Sequence, residues 1–332
     1  MRVSARLVVA LAALLAAPRA VAAPPVVDAP APPVAPADPP PPAAAPLEDE
    51  DSVFDAPAPP TLPALTRRDL TFTFEYTAAS IETERSSIGA GAAAYAGFSH
   101  AELELPLVPR KWFLGAAHDV ANAAVPGVGR GLLFGSPELW GRGVWSSVRG
   151  LASGGGLGIV IPVPHDLSRG GGEVLRTARV VRPWDASYFN DLTLTFRPWF
   201  DMRHITGPFI FQLRQGIDWS VVVRDLAPGE RRTDLAVRAA FYFGFRVAQP
   251  VGIGLELWEV YQLTADVPDD RRAAFVISPS VRFILPLVQP AISVLVPIAT
   301  PLRGDVESYY AARLNVGFTF PAGPRADDAP QR

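Results

Sequence analysis

The sequence predicts an all-β protein, a single antiparallel up-and-down transmembrane β-barrel of about 12 strands, preceded by a disordered Pro/Ala-rich segment. Of its 332 residues, 49% are hydrophobic. Beyond the N-terminal apolar run, however, no stretch of about 20 apolar residues could cross a bilayer as a helix. Apolar residues instead alternate with polar ones along runs of about 10 to 15 residues, longer than most strands of soluble proteins. Long and short connections alternate between these runs, as is typical of outer-membrane barrels.

The N-terminus has the three parts of a secretory signal. Arg2 and Arg6 supply the positive charge, residues 7–17 are apolar, and residues 20–22 are the small residues expected before a cleavage site. The apolar run is too short to span a bilayer as a permanent helix. We therefore expect residues 1–22 to be a signal peptide, and we exclude them from the fold.

Residues 23–68 form a linker rich in proline and alanine, with an acidic cluster at 48–51. Proline favours extended backbone, and this composition offers too few large apolar groups to bury. We expect a disordered segment. It is either a plain spacer or a tether that touches a partner such as peptidoglycan.

The barrel is expected over residues 69–320. The alternation predicts strands at 69–80, 91–106, 111–118, 138–150, 154–163, 189–202, 208–223, 234–247, 251–263, 273–285, 290–299 and 309–320. Ten or fourteen strands are also compatible with the pattern, because the third and fifth runs are the least regular.

The connections between these strands fall into two sets. The longer ones are expected at 81–90, 119–137, 164–188, 224–233, 264–272 and 300–308. Short periplasmic turns and long external loops are the usual arrangement, which predicts that both termini are periplasmic. The longest loop, 164–188, is rich in glycine and arginine, and we expect it to fold inward and constrict the mouth of the barrel.

Strand alternation also predicts which charged residues point inward. The candidate lumen-lining residues are Glu102, Glu104, Arg214, Asp218, Arg238, Arg246, Glu256, Arg282 and Arg313. Charges in a narrow lumen must be paired or hydrated. The set therefore predicts either a polar channel whose transverse field selects solutes, or a salt-bridge network that plugs and stiffens a closed barrel.

The sequence favours neither an enzyme nor a cofactor-binding protein. The chain has no cysteine, which excludes thiolate metal sites, cysteine nucleophiles and disulfides. Its four histidines lack metal-ligand spacing, and the glycine clusters are not followed by a P-loop lysine. The adjacent pair Ser99 and His100 is the only hint of an outer-membrane hydrolase. A net charge of −3 gives no reason to expect a nucleic-acid partner.

The last predicted strand, YYAARLNVGFTF at 309–320, resembles the C-terminal insertion signal of outer-membrane proteins. The residues that carry this resemblance are Tyr310, Leu314, Val316, Phe318 and Phe320. The resemblance implies that the barrel-assembly machinery inserts the chain among the lipids and lipopolysaccharide of a Gram-negative outer membrane. Residues 321–332 follow as a C-terminal tail.

Three segments resemble a known family. They are GGGLGIVIPVPHD at 154–166, the strand at 255–263 that carries Glu256, and SPSVRFILPLVQPAISVLVPI at 278–298. They look like the porin-like outer-membrane transporters grouped with phenol meta-pathway degradation. The resemblance implies a barrel and the uptake of small hydrophobic or aromatic compounds. We therefore expect a porin-like channel or transporter; the alternatives are a plugged structural barrel that works through its Pro-rich arm and, less favoured, a hydrolase.

Overall fold

A computed structural model describes residues 69–83, 93–108, 111–125, 129–148, 151–167, 171–248, 250–264, 271–285, 287–299 and 306–320. The predicted signal peptide (1–22), linker (23–68) and C-terminal tail (321–332) lie outside the described residues. In the part of the chain that the structure describes, no helix has both the length and the apolar character needed to cross a membrane.

The described chain is built mainly of antiparallel strands. They are β1 (Leu70–Thr83), β2 (Ala93–Val108), β3 (Trp112–Val125), β4 (Gly129–Phe134), β5 (Glu138–Val148), β6 (Leu151–Val160), β7 (Thr193–Thr206), β8 (Phe209–Val222), β9 (Thr233–Ala248), β10 (Val251–Gln262), β11 (Ala273–Phe283), β12 (Val288–Pro297) and β13 (Val306–Phe320). One α-helix, α1 (Gly171–Val181), and one 3-10 helix (Pro183–Phe189) lie between β6 and β7.

The strands close into a barrel because β1 pairs with the last strand, with Leu70 opposite Phe320. β4 and β5 both pair with β3, over residues 120–125 and 112–117 respectively, so together they occupy one position in the wall. The result is a closed antiparallel barrel with 12 strand positions, which confirms the predicted fold class.

The prediction of a long loop at 119–137 is wrong. β3 continues to Val125, and β4 covers most of the remaining segment. The segment is rich in alanine and glycine, so it shows no apolar alternation. Its inward side chains Ala121 and Ala123 are nevertheless fully packed, at 0% and 4% exposure. The apolar periodicity of a strand depends on the size of its side chains as well as on the direction in which they point. Here the inward side chains are small, so the pattern did not reveal the strand.

The outer face of the barrel is covered by large apolar side chains. Trp112, Phe134 and Phe243 are each more than half exposed, and similar residues follow on every strand. A continuous exposed belt of aromatic and aliphatic groups would not be stable in water, but it matches the hydrocarbon of a bilayer.

The two rims of the barrel differ in their connections. We call the rim with the short turns, such as 207–208, the turn end, and the rim with the long connections, such as 223–232, the loop end. β1 begins and β13 ends at the turn end. The long connection between β6 and β7 leads into the lumen and positions the candidate site.

Candidate functional site

The inner wall places the predicted lumen-lining residues on the buried side of their strands. Six of the nine are at most 7% exposed: Glu104, Asp218, Arg238, Glu256, Arg282 and Arg313. Glu102, Arg214 and Arg246 are half-buried. The lining of a solute path by these nine residues remains a prediction.

The predicted charges do not form one ring. They separate into ion pairs between strands that are adjacent or lie one or two positions apart in the wall, and several partners are residues that the sequence reasoning missed. Arg142 pairs with Glu104 at 2.9 Å, and Asp201 pairs with Arg214 at 2.7 Å. The missed partners could have been found by applying strand alternation to β5 and β7, where they also occupy inward positions.

The loop-side half of the lumen is filled by α1 and the 3-10 helix, residues 171–189, which we call the plug. Its apolar stripe consists of Val174, Ala178 and Val181, which follow helical spacing and are completely buried. Facing them are small wall residues, including Ala96 and Ala121 at 0% exposure. The expected inward folding of the longest loop thus takes the form of a packed helical insert.

The turn-side end of the plug is held to the wall by an arginine that lies between two acidic side chains. Arg182 lies 2.7 Å from Glu75 on β1 and 2.5 Å from Asp185 on the plug itself. All three side chains are at least nine-tenths buried. This triad holds its geometry firmly, because loss of Arg182 would leave two buried carboxylates without their close counter-charge.

Two groups of Tyr188, which lies in the 3-10 helix of the plug, also bind the wall. The Tyr188 hydroxyl donates to the Glu138 carboxylate, and the Tyr188 carbonyl accepts from the Ser136 N–H at 2.6 Å. Ser136 lies in the break between β4 and β5, where its backbone amide bonds to the plug. The interruption of the wall is therefore the point at which the plug docks.

A chain of charges continues from this docking point around the wall. Arg197 bonds to Glu138 at 2.9 Å and to Asp218 at 3.2 Å, and it donates to the Trp184 carbonyl at 3.0 Å. Arg238 binds the same Asp218 carboxylate at 2.7 Å. The network ties the plug to four wall strands and neutralises its own charges.

A cavity of ≈ 420 Å³, which we call the vestibule, lies at the loop end between the plug and strands β8 to β10. Asp218 and the buried Ser187 hydroxyl contribute to its lining on the wall and plug sides, and Val260 adds an apolar patch. The vestibule gives a small solute access to the point where the plug meets the charge network.

The rim of the vestibule carries an exposed ion pair. Arg224 binds Glu230 through two hydrogen bonds of 2.7 and 2.8 Å. This contact, together with the Ala227 N–H, holds the pKa of the Glu230 carboxyl down at about 2. Both charges therefore persist at the rim under any physiological condition.

The geometry gives no support to a hydrolase. Ser99 and His100 are neighbours on β2 and so project to opposite faces of the wall. The His100 ring bonds to Asp119 at 2.6 Å. His165, whose pKa is lowered by burial, lies 4.0 Å from Asp191. Within the described residues no cluster of three or more His, Asp or Glu side chains could hold a metal ion.

The residues of the expected insertion signal lie on the outer face of β13. Tyr310, Leu314 and Phe320 are exposed, at 64%, 44% and 50%, and Val316 and Phe318 are half-buried. Recognition of this strand by an assembly machinery remains a prediction.

Comparison with known proteins identifies the fold but no family. No family model matches the chain, and no curated protein matches it either. An outer-membrane channel from Pseudomonas putida F1 is 12% identical, covers 79% of this chain and 99% of its own, and superposes with a TM-score of 0.57. The NanC porin is 12% identical over 76% of this chain and 100% of its own, with a TM-score of 0.47. The chain has a porin-like β-barrel fold.

Proposed function

We propose that the protein is a gated porin-like channel for small molecules in an outer membrane, with the plug as its gate. The observation that carries the proposal is the vestibule, which ends on a plug whose turn-side end is held to the wall by a small set of side-chain bonds. A permanent core would be expected to meet an apolar wall throughout. Here the turn-side end of the plug meets charged wall residues. Water can hydrate these charges if the plug moves away.

The solute path in this proposal begins at the loop end. A solute enters the vestibule, reaches Asp218, and passes once Arg182 and Tyr188 release the wall. The ion pairs in the turn-side half then line the remaining path. The nine sequence-predicted lumen residues belong to this path, with Asp218 and Arg238 at the level of the gate.

The vestibule is best suited to solutes that are small and weakly polar. The vestibule combines charges that are already paired with apolar patches such as Val260 and Leu235. The resemblance to transporters of the phenol meta-pathway points to the same class. In this proposal the loop end faces outward and both termini lie in the periplasm, an orientation that the length asymmetry of the connections supports.

Single-channel recording in planar lipid bilayers tests the gate. We expect the wild-type protein to show discrete steps with a low open probability. Substituting Arg182→Gln should raise the open probability about tenfold or more without changing the step size, since breaking a buried ion pair costs about 3–5 kcal/mol. Arg224→Gln, which removes an exposed rim arginine, is the matched control and should leave the open probability unchanged.

The outcome that rules out a channel is equally specific. Protein whose heat-modifiable gel migration shows a folded barrel, but which gives no conductance steps as wild type or as Arg182→Gln, is not a channel. If Arg224→Gln raises the open probability as much as Arg182→Gln does, the plug is not the gate.

A second candidate function is a structural barrel that acts through its Pro-rich arm. Trp184, Tyr188 and Phe189 of the plug are at most 3% exposed, as in a permanent core. In that case deletion of residues 24–63 should abolish the cellular phenotype, with outer-membrane permeability unchanged.

A further inference from the structure

One sector of the outer wall, formed by β1, β2 and β3, carries polar side chains. Thr77, Phe98 and Ala121 mark the inward side of these strands, because each is at most 2% exposed. Side chains alternate along a strand, so the residues next to them face outward. Five outward residues of this sector carry a hydroxyl, an amide or an imidazole, and we call them the polar face: Tyr76, Tyr95, Ser99, His118 and Asn122.

The members of the polar face lie close to one another. The hydroxyls of Tyr76 and Tyr95 are hydrogen-bonded across β1 and β2 at 2.9 Å. A Cβ added at Gly97 would lie 2.9 Å from the Tyr76 hydroxyl and 3.0 Å from the Asn122 side-chain oxygen. The absence of a side chain at Gly97 therefore leaves the space in which the tyrosine hydroxyl and the amide meet.

The polar face continues toward the turn end through Ser99 and His118. Ser99 is the cross-strand partner of Tyr76. His118 is the partner of Ala101, which is the next outward residue of β2. The five polar side chains thus occupy adjacent outward positions on three neighbouring strands.

His118 lies at the depth of the hydrocarbon. On its own strand the outward residue Leu114, toward the turn end, is 48% exposed. Toward the loop end Val120 pairs with Phe134, which is 61% exposed. The His118 ring is exposed between these apolar groups, and no described residue bonds to it. A polar group that faces hydrocarbon without a partner is costly, so this position indicates a contact with another molecule.

Polar residues elsewhere on the outer face are more isolated. Gln215 on β8 is exposed at mid-strand, but its outward neighbours on the strand are Leu213 and Ile217. An isolated glutamine offers one contact point. The polar face offers five side chains over three strands, which is the extent expected of a protein contact surface.

Small side chains surround the polar face. Ala78, Ala101 and Ala116 are outward residues of β1, β2 and β3, and Gly97 lies among them. In a bilayer, spanning segments associate through close packing of small residues and through hydrogen bonds between chains. The low surface of this sector allows a second protein surface to approach the polar groups closely.

The chemistry of the polar face matches a second copy of the same chain. All copies insert into the membrane in one direction, so a two-fold axis between two copies runs along the membrane normal. Each polar group then meets the groups of the other copy at the same depth. Identical charges would repel each other there, whereas hydroxyl, amide and neutral imidazole groups both donate and accept hydrogen bonds. The polar face is therefore complementary to itself.

We propose that the polar face is the contact surface of a two-fold dimer of this chain within the membrane. In the dimer the His118 ring and the Ser99 hydroxyl form hydrogen bonds with the polar face of the second copy. The dimer goes beyond the proposed channel function, because each barrel encloses its own plug and lumen. Association and conductance can therefore be measured independently.

Cross-linking in the outer membrane tests the dimer. The chain has no cysteine, so Ser99→Cys gives each full-length copy a single thiol. Two packed sheets lie about 10 Å apart, so a short bis-methanethiosulfonate reagent is used to bridge the thiols. In Gram-negative cells that express two differently tagged copies, we expect a product of twice the monomer mass that carries both tags and separates with dithiothreitol. Gln215→Cys, an outward thiol on β8, is the control and should give no such product.

Sedimentation equilibrium in density-matched detergent gives a second measurement. We expect wild-type protein to have the mass of a dimer. His118→Leu should raise the dissociation constant of the dimer about tenfold, because hydrogen bonds between the copies are lost. Leucine suits a lipid-facing position, so heat-modifiable gel migration should show a folded barrel. Gln215→Leu is the matched control and should leave the dissociation constant unchanged.

Several results would overturn the dimer. They are equal cross-linking of Ser99→Cys and Gln215→Cys, a monomer mass for the wild-type protein, and equal weakening by His118→Leu and Gln215→Leu. A cross-linked product that joins one tagged copy to a different protein would also overturn it. The proposed channel is judged separately, since a monomer that conducts keeps the channel function and a dimer without conductance does not.

Discussion

The two halves of the lumen are built in opposite ways although both are buried. In the loop-side half the inward residues are small and apolar, such as Ala79, Ala96, Ala121 and Ala311, and the space is filled by the plug. In the turn-side half the inward residues include long charged side chains, which project from the wall and pair with one another, as Arg142 does with Glu104. The same alternation along each strand thus produces a socket for the plug in one half and a wall of paired charges in the other.

The difference teaches how this barrel combines stability with a movable part. Apolar contact between plug and wall is non-directional and made of many small contributions. Ion pairs between wall strands are directional, and the loss of one partner leaves a buried charge. We therefore expect the loop-side half to tolerate displacement of the plug, and the turn-side half to tolerate very little change.

The largest expected effect lies in the charged wall at mid-barrel. Glu256→Gln removes the partner of Arg313, and both side chains are completely buried. The free energy of unfolding should fall by about 3 kcal/mol, because the buried arginine loses its close counter-charge and keeps only Glu75, at 4.0 Å. Urea unfolding in lipid vesicles measures the change. Glu230→Gln is the same substitution at the exposed rim, and it should leave the unfolding midpoint unchanged. Equal effects at both sites would contradict the expected difference between buried and exposed ion pairs.

A smaller effect is expected in the socket. Ala121→Leu adds volume where the plug packs, and overpacking of this kind costs about 1–3 kcal/mol. The cost should fall on the plugged state, so that open probability in planar bilayers rises while the barrel stays folded. Ala124→Leu lies on the same strand but on its outward side, away from the plug, and it should change neither property. A barrel that unfolds with Ala121→Leu would show that the plug is part of the core.

The turn-side wall also depends on the shape of its side chains. Arg142 binds Glu104 with two nitrogens and lies over the Phe113 ring at 4.1 Å. Arg142→Lys keeps the charge but loses the fork and the ring contact, at a cost of about 1 kcal/mol. The urea midpoint should move accordingly. Arg130→Lys at the exposed loop end serves as the control, and a shift of equal size there would contradict the role of shape.

The smallest effect concerns the rim. Glu230 has a pKa lowered to about 2 from an ordinary value of 4.5. A lowered carboxyl pKa stabilises the rim contact above about pH 4.5, and this contribution is lost as the pH falls toward 2. The carbon-13 chemical shift of the Glu230 carboxyl, assigned by comparison with Glu230→Gln, should titrate with a midpoint near 2. A midpoint near 4.5 would mean that Arg224 does not stabilise the charged form of the Glu230 carboxyl.

Much of the wall could be predicted from the sequence because strand facing is a local property. Runs such as 209–222 and 233–248 alternate so regularly that their bounds and their lumen-facing charges follow directly. The failure at 119–137 has a physical reason as well. Inward residues there are small because of a segment that is distant along the chain, and periodicity cannot report such a partner.

The sequence by itself determined that the apolar residues face outward along strands, that the strands close a barrel of about 12 positions, and which charges turn inward. These are consequences of a two-residue repeat and of chain length. Only the tertiary structure decided that α1 fills the loop-side half, that Arg182 and Tyr188 secure it, and that each inward charge has a particular partner. Those features depend on distances between residues far apart in the chain, which are set when the barrel closes and brings its strands around the plug.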